Sequence, residues 1–298
     1  MLDNSKTHAG YIAILGRPNV GKSTLLNYIL GKKVSITARK AQTTRHKILG
    51  IKTQKNYQAI YVDTPGIHGR TDTGLNRYMD KAALSVLNDV DAIIFVVAGT
   101  VWQKEEDYIL KALAKTESPV ILVINKVDLV SQKKYLLKCI EDLNKKYNFV
   151  ATVPISAKKG DNIGALESEV KKLLPQSPFF FPEEQVTDRD NKFLAAEIIR
   201  EKLTRLLGQE LPYSLSVMID GMELKKGIMH IAATIYVERR GQKIIIVGKD
   251  GSGLKKTGTL ARREMEDLFS KKVFLKLWVK VKSKWTDDDR ALQSFGYN

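Results

Sequence analysis

The sequence is nearly without cysteine. Cys139 is the only one in 298 residues, so no disulfide can form within the chain. That fits a reducing compartment such as the cytosol, and with no histidine beside it Cys139 reads as a helix-face residue, not a reactive thiol. No uninterrupted run of about 18 apolar residues occurs, so no membrane-spanning helix is expected. Residues 1–10 are polar and lack an apolar h-region, so no secretory signal is expected either. Acidic residues are also in deficit. The chain carries 33 Asp and Glu against 49 Lys and Arg, a formal charge of +16. Such an excess points to a polyanionic partner, either nucleic acid or an anionic membrane surface. What is present suffices for two domains, since the length exceeds one ordinary domain and 43% of the residues are hydrophobic.

Five short apolar, β-rich runs mark the first half, at residues 11–15, 48–51, 59–63, 92–98 and 120–124, with a sixth at 150–155. Amphipathic stretches of helical length fall between most of them, at 21–30, 75–87, 105–115 and 133–146. Strands alternating with helices predict an α/β domain with a mainly parallel six-stranded sheet. The runs at 48–51 and 59–63 lie too close for a crossover helix and predict an antiparallel hairpin at the sheet's edge. Pro175, Pro178 and Pro182 interrupt any helix, so a boundary is expected there. The division read from the sequence is 1–175, a linker at 176–187, and 188–298. In the second part, 191–207 reads as a helix, and 213–220 and 230–238 as strands.

Residues 16–23 match the phosphate-binding pattern G-x-x-x-x-G-K-[ST]: Gly16, Arg17, Pro18, Asn19, Val20, Gly21, Lys22 and Ser23, with Thr24 following. The match lies between a predicted strand and a predicted helix, as the mechanism requires. The glycines let backbone N–H groups wrap phosphates, Lys22 reaches the β- and γ-phosphates, and the Ser23 hydroxyl binds Mg²⁺. The helix N-terminus adds favourable partial charge. Asp63, Thr64, Pro65, Gly66 and Ile67 follow the third run, putting a carboxylate where it can hold Mg²⁺ and a glycine where backbone can approach the γ-phosphate. Asn125, Lys126, Val127 and Asp128 follow the fifth. A carboxylate at Asp128 accepts from guanine N1–H and its 2-amine, a donor pair that adenine lacks, while Lys126 covers the base. Ser156 and Ala157 follow the sixth, and their backbone can donate to guanine O6. The polar segment 37–46 reads as a loop that senses the γ-phosphate through a Mg²⁺-ligating threonine. Thr43 and Thr44 are both candidates, and spacing does not separate them.

These motifs, with Ala41-Gln42-Thr43-Thr44-Arg45-His46, resemble those of the Era GTPase family over essentially the whole chain. Gly248-Lys249-Asp250-Gly251 resembles the GxxG loop of a type II KH domain, and residues 277–285 and 290–297 resemble the family's closing segment. The resemblance implies a GTP/GDP- and Mg²⁺-dependent GTPase domain followed by an α+β KH domain that binds the 3′ region of 16S rRNA. It further implies a cytoplasmic monomer that assists 16S processing and 30S subunit assembly and associates peripherally with the inner membrane. A membrane-surface GTPase switch linked to cell-cycle control is the alternative reading. The resemblance also overrides a propensity. Residues 244–247, Ile-Ile-Ile-Val, read as a strand, but a GxxG loop joins two helices.

A GxxG loop clamps the backbone of about four nucleotides of single-stranded RNA. Lys249, Lys255 and Lys256 supply charge, with Arg262 and Arg263 beyond them, although Asp250 opposes it within the loop. Residues 225–284 hold 16 basic and 5 acidic side chains. Within them, 276–284 alternates basic and apolar residues, which as a strand gives one charged face, either solvated or an RNA phosphate track. For hydrolysis, many P-loop GTPases place a glutamine just after Asp-x-x-Gly to orient water. Here Ile67 follows Gly66 and no glutamine occurs in 67–78. Slow hydrolysis is therefore expected, carried by Lys22, Thr43 or Thr44, and the Gly66 backbone, with His68 as a possible helper.

Overall fold

A computed structural model of the protein describes residues 7–38, 43–67, 73–99, 101–207 and 214–297. The chain forms two compact units. Unit 1 comprises Met1–Ser35, Thr44–Arg70 and Met79–Asp188, and unit 2 comprises Ile36–Thr43, Thr71–Tyr78 and Arg189–Asn298.

From the N-terminus the elements are β1 (His8–Leu15), α1 (Lys22–Leu30), β2 (Ile48–Gln54), β3 (Tyr57–Asp63), α2 (Gly74–Leu84), β4 (Ala92–Ala98), α3 (Lys104–Leu113), β5 (Val120–Asn125), α4 (Lys133–Asn144), β6 (Ala151–Pro154) and α5 (Ile163–Leu173). The six strands form one sheet in the order β2-β3-β1-β4-β5-β6. All neighbours run parallel except β2, which pairs antiparallel with β3 through a two-residue turn from Gln54 to Tyr57. Lys55 in that turn adopts φ 47°, the left-handed conformation that suits a tight hairpin.

The central strands are apolar along their length because both sheet faces are covered. Ile12, Ile14, Ile94, Val96, Ile121 and Val123 point into one buried cluster with Leu25, Leu26 and Ile29 of α1. Ala13, Leu15, Ile93, Phe95, Leu122 and Ile124 point into the other, with Ile109 and Leu113 of α3. The period of two along each strand thus divides one apolar run between two cores. Helix α5, for which the sequence reading names no element, buries Ile163, Leu166 and Val170 at helical spacing. Cys139 lies half-buried on α4, where burial and the neighbouring Asp142 push its thiol pKa up. That makes it a poor nucleophile.

Unit 2 contains α6 (Asn191–Leu206), β7 (Leu215–Lys225), β8 (Ile228–Val237), α7 (Arg240–Val247), α8 (Ser252–Phe269), β9 (Lys272–Val281) and α9 (Asp289–Ser294). Its three-stranded sheet has the order β7-β8-β9, with β7 antiparallel and β9 parallel to β8. The α-β-β-α-α-β order is that of a type II KH domain. The strand expected from Tyr213 begins at Leu215, and residues 208–213 lie outside those described. Residues 244–247 are helical, against their β-branched composition. Ile244 and Ile245 are 70% and 57% exposed, so they do not fill the core that a strand of isoleucines would serve. Asp190 caps α6 by accepting from the Phe193 N–H at 2.8 Å.

Helix α6 also buries charge. Arg200 donates to both carboxylate oxygens of Glu197, at 2.6 and 2.7 Å, and to the Thr43 carbonyl. Glu201 accepts from the Thr37 N–H at 2.9 Å, from Arg205 at 2.9 Å and from Lys202 at 3.0 Å. These partners satisfy groups that would otherwise be costly to desolvate. They also fasten Thr37 and Thr43 within unit 2.

Candidate nucleotide and RNA sites

The nucleotide-site residues converge at the carboxyl ends of β1, β3, β5 and β6, where ligands settle in open α/β sheets. β1 leads into the loop of residues 16–21, which opens α1. A Cβ on Gly16 would lie 2.4 Å from the Val96 carbonyl oxygen, and one on Gly21 would lie 2.3 Å from Asn125 Nδ2. Both glycines also have positive φ, 151° and 102°, so loop closeness and conformation alike require them. Arg17 points away from the loop and donates to the buried Glu106 at 2.6 Å.

Lys22 is buried. Its Nζ donates to the carbonyls of Gly16 at 2.9 Å and Arg17 at 3.2 Å, so it lies across the loop. Burial lowers its pKa from 10.5 to about 8, against the pull of Asp63 and with help from Arg17. Between about pH 8 and 10.5 the unfolded chain holds this proton and the folded chain has lost it, so the nucleotide-free fold gains stability as pH rises through that window. A phosphate needs the ammonium form, so nucleotide affinity should fall as pH rises above about 8. Calorimetric titrations of GDP at about pH 8–9, in buffers of different ionisation enthalpy, should show proton uptake on binding. Absence of uptake would exclude Lys22 as the titrating phosphate ligand.

Asp63 ends β3 and is buried. Its Oδ2 accepts from Ser23 and from Ser35, each at 2.8 Å, while its Oδ1 is buried with no protein partner. Burial pushes its pKa up, opposed by Lys22 and the two hydroxyls. The Ser23 and Thr44 hydroxyls are 2.7 Å apart. An orphaned carboxylate oxygen beside two hydroxyls is an all-oxygen donor set suited to a hard cation. Among the described residues no cluster of three or more His, Cys, Asp or Glu side chains could hold a metal. The oxygen set itself suits Mg²⁺, which takes one or two protein ligands plus phosphate oxygens and waters. Spacing left Thr43 and Thr44 open. The Thr44 hydroxyl reaches Ser23, whereas the Thr43 carbonyl faces Arg200.

Thr64 turns inward and donates to the Ile14 carbonyl at 2.8 Å. A Cβ on Gly66 would lie 2.7–2.8 Å from Pro18, so this backbone touches the phosphate loop. Ile67 is fully buried in the core beneath the sheet, and its N–H donates to the Gly16 carbonyl at 3.3 Å. The position after Gly66 therefore offers no side chain to a water molecule. Gln42 and His68 lie outside the described residues.

Asn125 links the motifs. Its Nδ2 donates to the Val20 carbonyl at 2.7 Å, and its Oδ1 accepts from the N–H groups of Lys126 at 2.7 Å and Ala157 at 2.9 Å. Lys126, at φ 64°, donates from Nζ to the Asn19 carbonyl at 2.6 Å. Val127 opens a single 3₁₀ turn that carries Asp128, whose Oδ1 accepts from the Ser156 hydroxyl at 2.7 Å. The sequence reading missed three supports: Ser35, Glu106 and the Ser156 hydroxyl. Ser35 and Glu106 stand in no motif, and Ser156 stands in one for its backbone alone, so only chain folding brings these side chains in.

In unit 2 the GxxG loop joins α7 to α8. Gly248, Asp250 and Gly251 all have positive φ, 72°, 52° and 76°. A Cβ on Gly248 would lie 2.8 Å from the Gly253 nitrogen. Beside the loop is a groove of about 440 Å³ lined by Arg240, Lys243, Ile244, Val247, Gly248 and Val281. Its floor is apolar and its rim cationic. Arg240 and Lys243 stand in no motif, and only helix α7 brings them onto one face beside the groove. Lys249 lies in the loop, and Lys255 and Lys256 are exposed on α8.

Fold and sites together define a P-loop GTPase domain joined to a type II KH domain. Family models agree: residues 11–126 match a 50S ribosome-binding GTPase model and residues 210–286 a KH domain model. GTPase Era of Coxiella burnetii is 54% identical over 98% of each chain. GTPase Era of Pasteurella multocida is 53% identical over 99% of this chain and 97% of its own. Two solved Era structures superpose over 98% of this chain and 99% of theirs. One, from Aquifex aeolicus and bound to GDP·AlF4⁻, has a TM-score of 0.94 at 39% identity. The other, in complex with MgGDPNP and nucleotides 1506–1542 of 16S ribosomal RNA, has a TM-score of 0.95 at 40% identity. The chain belongs to the Era family of GTPases, which hydrolyse GTP to GDP and phosphate.

Proposed function

We propose that this chain is a slow GTP-driven switch that grips the 3′ region of 16S rRNA and assists its processing within the assembling 30S subunit. The observation that carries the reading is one chain holding both a guanine-type phosphate site and a GxxG groove with an apolar floor and a basic rim. The solved relative with bound 16S nucleotides supports the choice of RNA. In this reading residues 1–175 bind GTP or GDP, 176–187 link, and 188–298 hold RNA, in a monomeric, cytoplasmic protein. No helix among the described residues is long and apolar enough to cross a membrane. The basic window surrounds the GxxG loop, which favours RNA over a lipid surface.

The residues divide the chemistry. Backbone N–H groups of residues 19–24 cradle the phosphates, and the Lys22 ammonium neutralises charge that develops on the γ-phosphoryl oxygens. Ser23, Thr44 and Asp63 would hold Mg²⁺, which would supply Lewis-acid charge to the phosphates. The Gly66 N–H approaches the γ-phosphate. Asp128 accepts from the guanine edge, with Ser156 fixing its carboxylate and Ala157 donating to O6. With Ile67 buried, the residue that orients water comes from elsewhere, for which the ribosomal subunit is the natural source.

The loop leading to Thr44 supports a coupling. Thr43, one residue before Thr44, accepts from Arg200 of α6 through its carbonyl, so a metal held by Thr44 would bear on a residue fastened to the KH helix. Coupling requires RNA affinity to differ between nucleotide states. Binding of a 3′-terminal 16S fragment with GDP and with a non-hydrolysable GTP analogue tests this, and equal affinities would refute it. Gly248→Asp, which strains φ and adds a carboxylate facing phosphate, should weaken RNA binding at least tenfold and leave GTP turnover without RNA unchanged. Undiminished RNA affinity would remove the GxxG loop from the interface.

A further inference from the structure

The charged strand face anticipated from residues 276–284 is more specific than a row of lysines. On β9, Val273, Leu275, Leu277 and Val279 face the core of unit 2. The alternate residues Phe274, Lys276, Trp278 and Lys280 therefore share the opposite face, spaced about 7 Å apart along the strand. Phe274 and Trp278 are each 47% exposed. In register on β8, His230 lies opposite Phe274, Ala232 opposite Lys276 and Thr234 opposite Trp278. The His230 and Phe274 rings are 5.2 Å apart, and Lys276 Nζ stands 5.6 Å from the Phe274 ring centre. Ala232 leaves a shallow gap between the aromatic rows. Two acids share this side of the sheet, and both are engaged: Asp220 accepts from the Thr234 hydroxyl at 2.7 Å, and Glu223 pairs with Lys225.

Aromatic rings left open and alternating with ammonium groups suit single-stranded nucleic acid. Bases stack on the rings while the lysines meet phosphates, a pairing that tolerates any sequence. A protein partner would be better matched by a continuous apolar patch. Neither Phe274 nor Trp278 lines the GxxG groove, whose only β9 contribution is Val281. We propose that the outer face of β7-β8-β9, centred on Phe274 and Trp278, is a second single-stranded RNA platform, separate from the GxxG groove and not dependent on it.

The test uses the full chain and a uridine-only RNA of about 20 nucleotides. Ultraviolet crosslinking followed by peptide mapping should place crosslinks on the β9 peptide carrying Phe274 or Trp278. In the Gly248→Asp background, Phe274→Ala with Trp278→Ala should lower the residual affinity about tenfold or more. Trp278→Phe, which keeps a stacking ring, should retain most of it. Lys276→Gln with Lys280→Gln should flatten the salt dependence by about 1.4 in slope. GTP turnover without RNA should stay unchanged in all four, and unchanged far-ultraviolet circular dichroism and melting temperature show that they fold. Absence of β9 crosslinks with unchanged affinity would overturn the proposal. So would unchanged RNA affinity accompanied by lost binding to phosphatidylglycerol vesicles, which would assign the face to lipid. Gly248→Asp alone reports on the GxxG groove, so the two readings fail separately.

Discussion

Lys22→Ala should lower single-turnover GTP hydrolysis by about 10²–10³, the loss typical of removing one preorganised donor from developing transition-state charge. The amine lies across the phosphate loop on two carbonyl oxygens, ready to exchange them for phosphate. Its depressed pKa means that burying the ammonium works against folding near neutral pH. The variant should therefore keep or slightly raise the melting temperature of the nucleotide-free protein. That combination separates lost chemistry from lost structure. A turnover within threefold of the parent would show that Lys22 is not the cation facing the γ-phosphate.

Asp128→Asn should weaken GTP binding by roughly 10²–10⁴, because a site that pairs a substrate's N–H groups discriminates steeply once the pairing is broken. The carboxylate offers only acceptors, and one oxygen is already oriented by the Ser156 hydroxyl. The amide would aim an N–H donor at guanine's own donors. Xanthosine triphosphate carries a carbonyl where guanine carries the 2-amine, so the variant should prefer it. Competition between the two nucleotides in an equilibrium binding assay reads the exchange directly. Retained guanine preference in the variant would assign selectivity to another group.

The sheet was legible because its strands are buried on both faces. Runs such as residues 92–98 carry no polar residue, and no helix of a two-layer core requires that. The nucleotide motifs were legible for a different reason, since phosphate, Mg²⁺ and guanine each dictate residue types at strand ends. Other features were hidden. Residues 244–247 look like a strand because β-branched propensity measures fit to a half-buried pleat, and here Ile244 and Ile245 stand exposed while only Ile246 enters the core. Helix α5 has its apolar residues at 163, 166 and 170, a weak stripe that follows a turn and is easily passed over. The choice between Thr43 and Thr44 turns on a single peptide step. Only the partners, Arg200 for one and Ser23 for the other, distinguish them. Ser35 and Glu106 serve the site from positions with no pattern around them.

Ile67 has a mechanical consequence as well as a chemical one. It is among the largest fully buried side chains of the described residues, one residue beyond the glycine whose backbone touches the phosphate loop. Drawing it out of the core would cost about 1.5–3 kcal/mol. It therefore acts as a fixed post. Rotation of the Gly66 peptide is confined between Pro18 on one side and this anchor on the other. A reporter on the Ile67 methyl groups should stay silent through the nucleotide cycle, while one on the Gly66 amide should register every step of it.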